Sequence, residues 1–332
     1  MRKRVLAIIL ATVLCFAFSG CGNTAQTDGA ADGSKTDSEE TTKQSGEEIT
    51  IGFSNFSFTI EYQAKLKDKL EAAVQAKWGD SAKVVSTDAE LDTSKQIADV
   101  ENLISQGVDA IVLVPLDAEQ LIPAIQACVD AGIPCFEVCL QCNDDIRTSF
   151  VGSNDVTSGE MAMEYMAEKL DYKGNIVLLD GIAGMDSNIK RMDGARAVIE
   201  KYPEMNIVTE KLCNGSRDEA MQAMENIIQS GKAVDGVFTI CDEEALGALA
   251  AIEGTDLEGE ILITGIDGDA DVLEGIKNGS ILCTSFQDAG LQATTVVDAI
   301  DNYLNGKDIE KAYDVPYQLV TEENIDDSYW TE

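Results

Sequence analysis

The fold class predicted here is α/β: two similar lobes, each a parallel sheet flanked by helices, facing one another across a ligand cleft. Three observations lead to it. From Glu48 onward, short β-rich apolar runs alternate with helical patterns, the rhythm of strand–helix–strand units. About 280 residues lie beyond that point, more than one hydrophobic core usually serves, so two lobes are the natural division. The same alternation then occurs twice, once in each half of the chain.

The elements follow in order. Arg2, Lys3 and Arg4 precede an apolar run, Val5 to Phe18, that is short for a lasting membrane span, and residues 1–20 read as an export leader. Phe18-Ser19-Gly20-Cys21 resembles a bacterial lipobox, in which small residues admit the peptidase and the Cys21 thiol takes a diacylglyceryl group; the usual leucine is Phe18. Residues 21–48 then form an acidic tether, too poor in apolar side chains to offset the entropy of ordering. In the first half, strands are expected at Ile49–Phe53, Ala82–Ser86, Ala110–Val114 and Cys135–Val138, with Phe150–Val151 as a short connector. In the second half they are expected at Ile176–Leu179, Ile207–Leu212, Val237–Thr239, Ile261–Ile266 and Cys283–Phe286. Ile97, Val100 and Ile104 recur at helical spacing after the capping candidate Ser94, and Gly107 stops that helix. Gly132-Ile133-Pro134 ends a helix over Ala118–Ala131, and a long helix over Ala289–Asn305 follows the last strand.

Composition narrows the function. The formal charge is −36, or −39 once the three leader cations are removed, which repels phosphate backbones and anionic lipid. Nucleic acid is therefore excluded, and so is membrane contact beyond the lipid itself. The chain contains no histidine, which rules out Ser-His-Asp and Cys-His catalysis and His-containing metal sites. Beyond Cys15 and Cys21, seven cysteines remain, at 128, 135, 139, 142, 213, 241 and 283, and an odd count cannot pair completely. Cys139-Leu140-Gln141-Cys142 is a CxxC at a strand end. A metal centre, a disulfide and packing thiols are all open to it, with no second pair or histidine to complete a metal site. No GxGxxG or Walker loop is present, no cofactor is expected, and no catalytic constellation is visible, so an enzyme is not expected.

Five motifs carry a family resemblance across nearly all of 48–325. They are Gln106-Gly107-Val108-Asp109-Ala110-Ile111, Ala131-Gly132-Ile133-Pro134, Val151-Gly152-Ser153-Asn154-Asp155, Asp242-Glu243-Glu244-Ala245-Leu246-Gly247-Ala248 and Gly265-Ile266-Asp267-Gly268. In that order they resemble the type I periplasmic binding proteins of the ribose and galactose kind, the substrate-binding lipoproteins of sugar ABC transporters. The resemblance implies two Rossmann-like lobes with three hinge crossovers, near Ser153, Gln287-Asp288 and Val315-Pro316, and closure around one ligand. It divides the chain into 49–153 plus 288–314 and 154–287 plus 315–327.

It also implies a site. From the first lobe the candidate ligand contacts are Phe56, Phe58, Glu61, Tyr62, Cys139 and Gln141; from the second they are Asn188, Cys241 and Asp267, with Gln287 at the hinge. Asp267 stands at the family's hydroxyl-binding aspartate, and an aromatic of the Phe56–Tyr62 segment stacks on the ligand, although Phe56 and Phe58 fit core alternation equally well. Asp155 and Asp242 read as helix caps, with ligand contact as the alternative, and Arg191, which matches an arginine common in the family, reads as the partner of a neighbouring acid such as Asp186 or Glu200. Several positions depart from the family pattern: Cys139-Leu140 replaces a charged pair, Ile189 an arginine, Cys241 an asparagine and Gly215 an aromatic. The expectation is a monomeric, lipid-anchored solute-binding protein on the outer face of the bacterial cytoplasmic membrane. It binds a sugar-like molecule and passes it to an ABC permease. Presentation of the ligand to a membrane sensor kinase or chemoreceptor, or capture of a non-sugar metabolite, is the alternative.

Overall fold

The computed structural model describes residues 48–326, all in the unit that begins at Gly46; the leader, Cys21 and most of the tether lie outside the described residues. The chain begins with β1 (Ile49–Asn55), α1 (Glu61–Trp78), β2 (Ala82–Asp88), α2 (Thr93–Gln106), β3 (Ala110–Val114), α3 (Ile122–Ala131), β4 (Cys135–Val138) and β5 (Ser149–Gly152). It continues through α4 (Asp155–Lys169), β6 (Lys173–Asp180), α5 (Asp186–Lys201), β7 (Glu204–Leu212), α6 (Arg217–Gln229) and β8 (Gly236–Thr239). The remaining elements are α7 (Asp242–Ile252), β9 (Leu262–Asp267), α8 (Ala270–Asn278), β10 (Cys283–Phe286), α9 (Ala289–Leu304), β11 (Ala312–Asp314) and β12 (Gln318–Thr321).

These strands form two six-stranded sheets, ordered β11-β5-β4-β3-β1-β2 and β12-β10-β9-β8-β6-β7. All neighbours run parallel except β12, which pairs antiparallel with β10. Helices cover both faces, so a central strand such as β3 (AIVLV) is buried at every position and reads as an unbroken apolar run. The chain passes between the sheets after β5, after β10 and between β11 and β12.

Local chemistry sets the helix ends. Gly107 and Gly132 close α2 and α3 in the left-handed conformation, at φ of 72° and 71°, which a residue without Cβ adopts at no steric cost. The cap of α2 is Asp92 rather than Ser94, because its carboxylate accepts from the Lys95 amide at 3.0 Å. Helix α3 begins at Ile122, with Pro123 in its first turn where no donor is needed, so the expected start at Ala118 is four residues early. In the second lobe α4 and α5 pack so closely that a Cβ on Gly159 meets the Arg191 carbonyl at 2.0 Å, and one on Gly194 meets the Val156 carbonyl at 2.2 Å. Arg191, at this close approach of the two helices, also lines the pocket at the carboxyl ends of the strands.

Candidate functional site

In open α/β sheets the carboxyl ends of the strands face the ligand crevice. Here those ends converge from both lobes on one pocket. From the first lobe come Phe56 after β1, Tyr62 and Gln63 on the first turn of α1, and Cys139-Leu140 after β4. From the second come Ile182, Met185, Asn188 and Arg191, then Ile240-Cys241 after β8 and Asp267 ending β9; Gln287 closes the back at the crossing after β10.

Arg191 organises the polar floor. Its Nε donates to Asp155 Oδ1 at 3.0 Å, and Nη1 donates to the Ile240 carbonyl at 2.7 Å and to Asp267 Oδ1 at 3.2 Å. Nη2 donates to the Tyr317 hydroxyl at 2.8 Å and to Gln287 Oε1 at 3.5 Å, while Tyr317 donates onward to Asp155 at 2.7 Å. A buried guanidinium is tolerable only when its donors are met, and these are. One cation lies between two carboxylates, so the floor carries no surplus positive charge. Burial drives the Asp267 carboxyl up from its ordinary range, and Arg191 is the strongest influence holding it down. Asp267 also sits at φ 129° and Cys139 at φ 65°, both unusual for residues with a side chain, and both turn the chain at the cleft edge.

The first lobe supplies a softer wall. Gln63 donates to Cys139 Sγ at 3.8 Å and receives the Asn55 amide at 2.9 Å, and Gln287 donates to the same sulfur at 3.6 Å. Burial pushes the Cys139 thiol up to about 12, so it stays protonated and serves as a weak polar surface, without the reactivity of a thiolate. Cys142 turns away into the core under α2 and α3, and the seven cysteines of the described residues are free, so the CxxC forms no disulfide.

The lobes are closed on this pocket. Met185 and Ile182 of the second lobe pack into the first lobe's core cluster, Glu61 accepts the Ala270 amide at 3.4 Å, and Lys65 lies 5.4 Å from the Phe286 ring centre.

Of the expected contacts, Phe56, Tyr62, Cys139, Asn188, Cys241, Asp267 and Gln287 line the pocket. Three others lie elsewhere. Phe58, in the turn between β1 and α1, packs back on Phe53 with ring centres 5.9 Å apart. Glu61 points to the cleft mouth, and Gln141 is held outside by Arg147 Nη2 at 3.1 Å. The reading of Arg191 as a partner of Asp186 or Glu200 is also corrected: Lys190 takes Asp186, and Arg191 takes Asp155 and Asp267. Asp155 and Asp242 are not caps. Asn154 caps α4, and Asp242 is buried, accepting the Gly268 and Asp269 amides and the Thr284 hydroxyl at 2.7, 2.7 and 2.9 Å. Gln63, Leu140, Ile182 and Met185 were missed. Gln63 alone left a signal, following Tyr62 at the start of a helix that opens from a strand end.

Residues 51–308 match the family model described as periplasmic binding protein domain. The chain belongs to the periplasmic binding protein family. A ribose import binding protein of Bacillus subtilis is 31% identical over 83% of this chain and 88% of its own. A xylitol-binding protein of Mycolicibacterium smegmatis is 35% identical over 73% and 70%. The crystal structure of an ABC transporter solute binding protein from Bacillus halodurans C-125 with bound myo-inositol superposes with a TM-score of 0.81. It is 34% identical, and the match covers 86% of this chain and 98% of that one. The architecture is thus the family's type I arrangement, with the pocket between its two lobes.

Proposed function

We propose that this chain is the solute-binding protein of an ABC importer and closes around a neutral, polyhydroxylated molecule the size of a monosaccharide, pentitol or cyclitol. The observation that carries this reading is the Arg191–Asp267 floor. A buried carboxylate keeps acceptor capacity after meeting Arg191 and gives strong hydrogen bonds to hydroxyls, and a floor whose one cation is already met by two acids disfavours anionic ligands. The amides of Asn188 and Gln287 extend the polar edge, while Phe56 and Tyr62 offer ring surface for the carbon skeleton. The names of the relatives, which bind ribose, xylitol and myo-inositol, fall in this chemical class.

A thermal-shift screen of sugars, pentitols and cyclitols tests it, because a ligand that binds only the folded state must raise the unfolding midpoint. With a ligand in hand, calorimetry on Asp267→Asn, which preserves shape beside Arg191, is expected to show about tenfold to a hundredfold weaker binding, the loss of a charge-assisted hydrogen bond worth about 1.5–3 kcal/mol. No midpoint shift with any polyol, or equal affinity in Asp267→Asn, overturns the reading.

Delivery to a permease places the protein at the membrane, and the leader and Cys21 supply the means: two acyl chains on one thiol hold a protein far more firmly than one. Cys21→Ser is expected to release the protein or leave it unprocessed; unchanged mass and unchanged membrane retention would refute lipidation.

A further inference from the structure

At the mouth of the cleft, outside the pocket, three acids meet across the two lobes. Glu61 opens α1 of the first lobe; Glu243 on α7 and Asp269 before α8 belong to the second. One carboxylate oxygen from each lies within 4.8 Å of the others. Asp269 is the decisive member: it is 2% exposed, and its Oδ1 is buried with no hydrogen-bond partner. A carboxylate buried without a partner is costly, and it is relieved only by a proton or a cation.

We propose that Glu61, Glu243 and Asp269 bind a calcium ion that bridges the lobes when they close. Three carboxylates are a hard oxygen set, and Ca²⁺ accepts such a set in a tolerant geometry, whereas Mg²⁺ demands near-ideal octahedral placement and keeps several of its waters. The neighbouring cations leave room for it. Arg217 donates to Glu243 Oε2 at 3.0 Å and Oε1 at 3.3 Å, and it reaches Asp271 at 3.7 Å. Arg217 is 41% exposed, so it can turn to Asp271 and solvent when an ion takes one Glu243 oxygen. Lys65 also faces Asp269, opposed there by the charges of Asp242, Asp267 and Glu61.

The functional consequence is linkage. Opening removes Glu61 and leaves a two-acid half-site, so calcium favours the closed form, and whatever else favours closure must tighten calcium binding by the same factor. The coupling rests on the lobe motion of the proposed solute-binding role, whereas calcium binding itself does not.

The test uses the purified full chain without sugar. It is stripped of metal and titrated with CaCl₂ by calorimetry and thermal unfolding, against KCl of equal ionic strength, because screening alone raises the midpoint of so acidic a protein. The wild type is expected to bind one equivalent of Ca²⁺, to gain midpoint beyond KCl, and to become more compact by small-angle scattering. Glu61→Gln and Asp269→Asn are each expected to weaken Ca²⁺ binding at least about tenfold, and Glu61→Gln to abolish the compaction. A midpoint gain equal to that of KCl overturns the site. Wild-type calcium affinity in Glu61→Gln overturns the bridge, since the ion would then sit within one lobe. Sugar binding indifferent to calcium removes the coupling and leaves the solute-binding role standing.

Discussion

Glu244 shows how a single buried acid sets a pH response. Its Oε1 accepts the Gly215 amide at 2.9 Å, but its Oε2 is buried with no partner. Burial pushes its carboxyl from 4.5 to about 8. The sign follows from proton counting: between those values the folded state holds a proton that the unfolded state has released, so stability falls as pH rises. The contribution is full below about 4.5 and gone above about 8. Glu137 acts in the same direction at about 7, for the same cause, with Arg147 opposing. Glu244→Gln, neutral at every pH, is therefore expected to unfold later than the wild type at pH 8, by at least about 2–4 °C, the shift that 1 kcal/mol produces in a chain of comparable size. Near pH 5 the gap should close. A gap of equal size at both pH values, measured by calorimetry, would mean that Glu244 is ionised throughout. The site's other residues were unequally legible. Asp267 and Cys139 announce themselves by ending apolar strands, because chain position alone places them at the crevice. Arg191 does not: its sequence neighbours offer Asp186, while its partner Asp155 lies thirty-six positions away and reaches it only through the packing of α4 on α5.

At the scale of elements, that packing sets the position of Arg191. Gly159 and Gly194 let the two helix backbones touch, and a methyl group at Gly159 would stand 2.0 Å from the Arg191 carbonyl. Because the obstacle is backbone, it cannot rotate aside, and α5 must move away. Gly159→Ala is expected to cost at least about 1–3 kcal/mol, the range for overpacking, and to weaken ligand binding by displacing the guanidinium that holds Asp267. Chemical denaturation and calorimetry together check this; a midpoint within error of the wild type would show that the helices have slack. Elements buried on both faces, such as β3 and β4, stand out in the sequence because every position is apolar or nearly so. The edge strands β11 and β12 escaped notice. Ala312–Asp314 is only three residues long and half exposed, and both strands form because the chain returns to a sheet edge, a tertiary event with no local pattern.

Three crossings join the two lobes, and Arg191 touches residues at all of them: Asp155 follows the first, Gln287 marks the second and Tyr317 the third. A hinge fixed at its base by one buried cation leaves the outer edges of the lobes free to part, so the closed form depends on contacts made near the mouth. Met185 is the clearest of these. It is carried by the second lobe, just before α5, yet it is 6% exposed because it inserts among the apolar side chains of the first. Opening the lobes returns it to water. Burying a side chain of this size is worth about 1.5–3 kcal/mol, and that free energy belongs to closure rather than to folding of either lobe. Met185→Ala should therefore leave the ligand-free unfolding midpoint nearly unchanged when the free protein rests open, and weaken ligand affinity about tenfold or more. Met185 also borders the pocket, so lost ligand contact would weaken binding too, and affinity alone does not separate the two causes. Small-angle scattering at saturating ligand does. A weakened latch leaves a share of the liganded molecules open and raises the mean radius of gyration, whereas loss of a ligand contact leaves the saturated protein as compact as the wild type. Full compaction of Met185→Ala at saturation would refute the latch and move the closing force to the ligand.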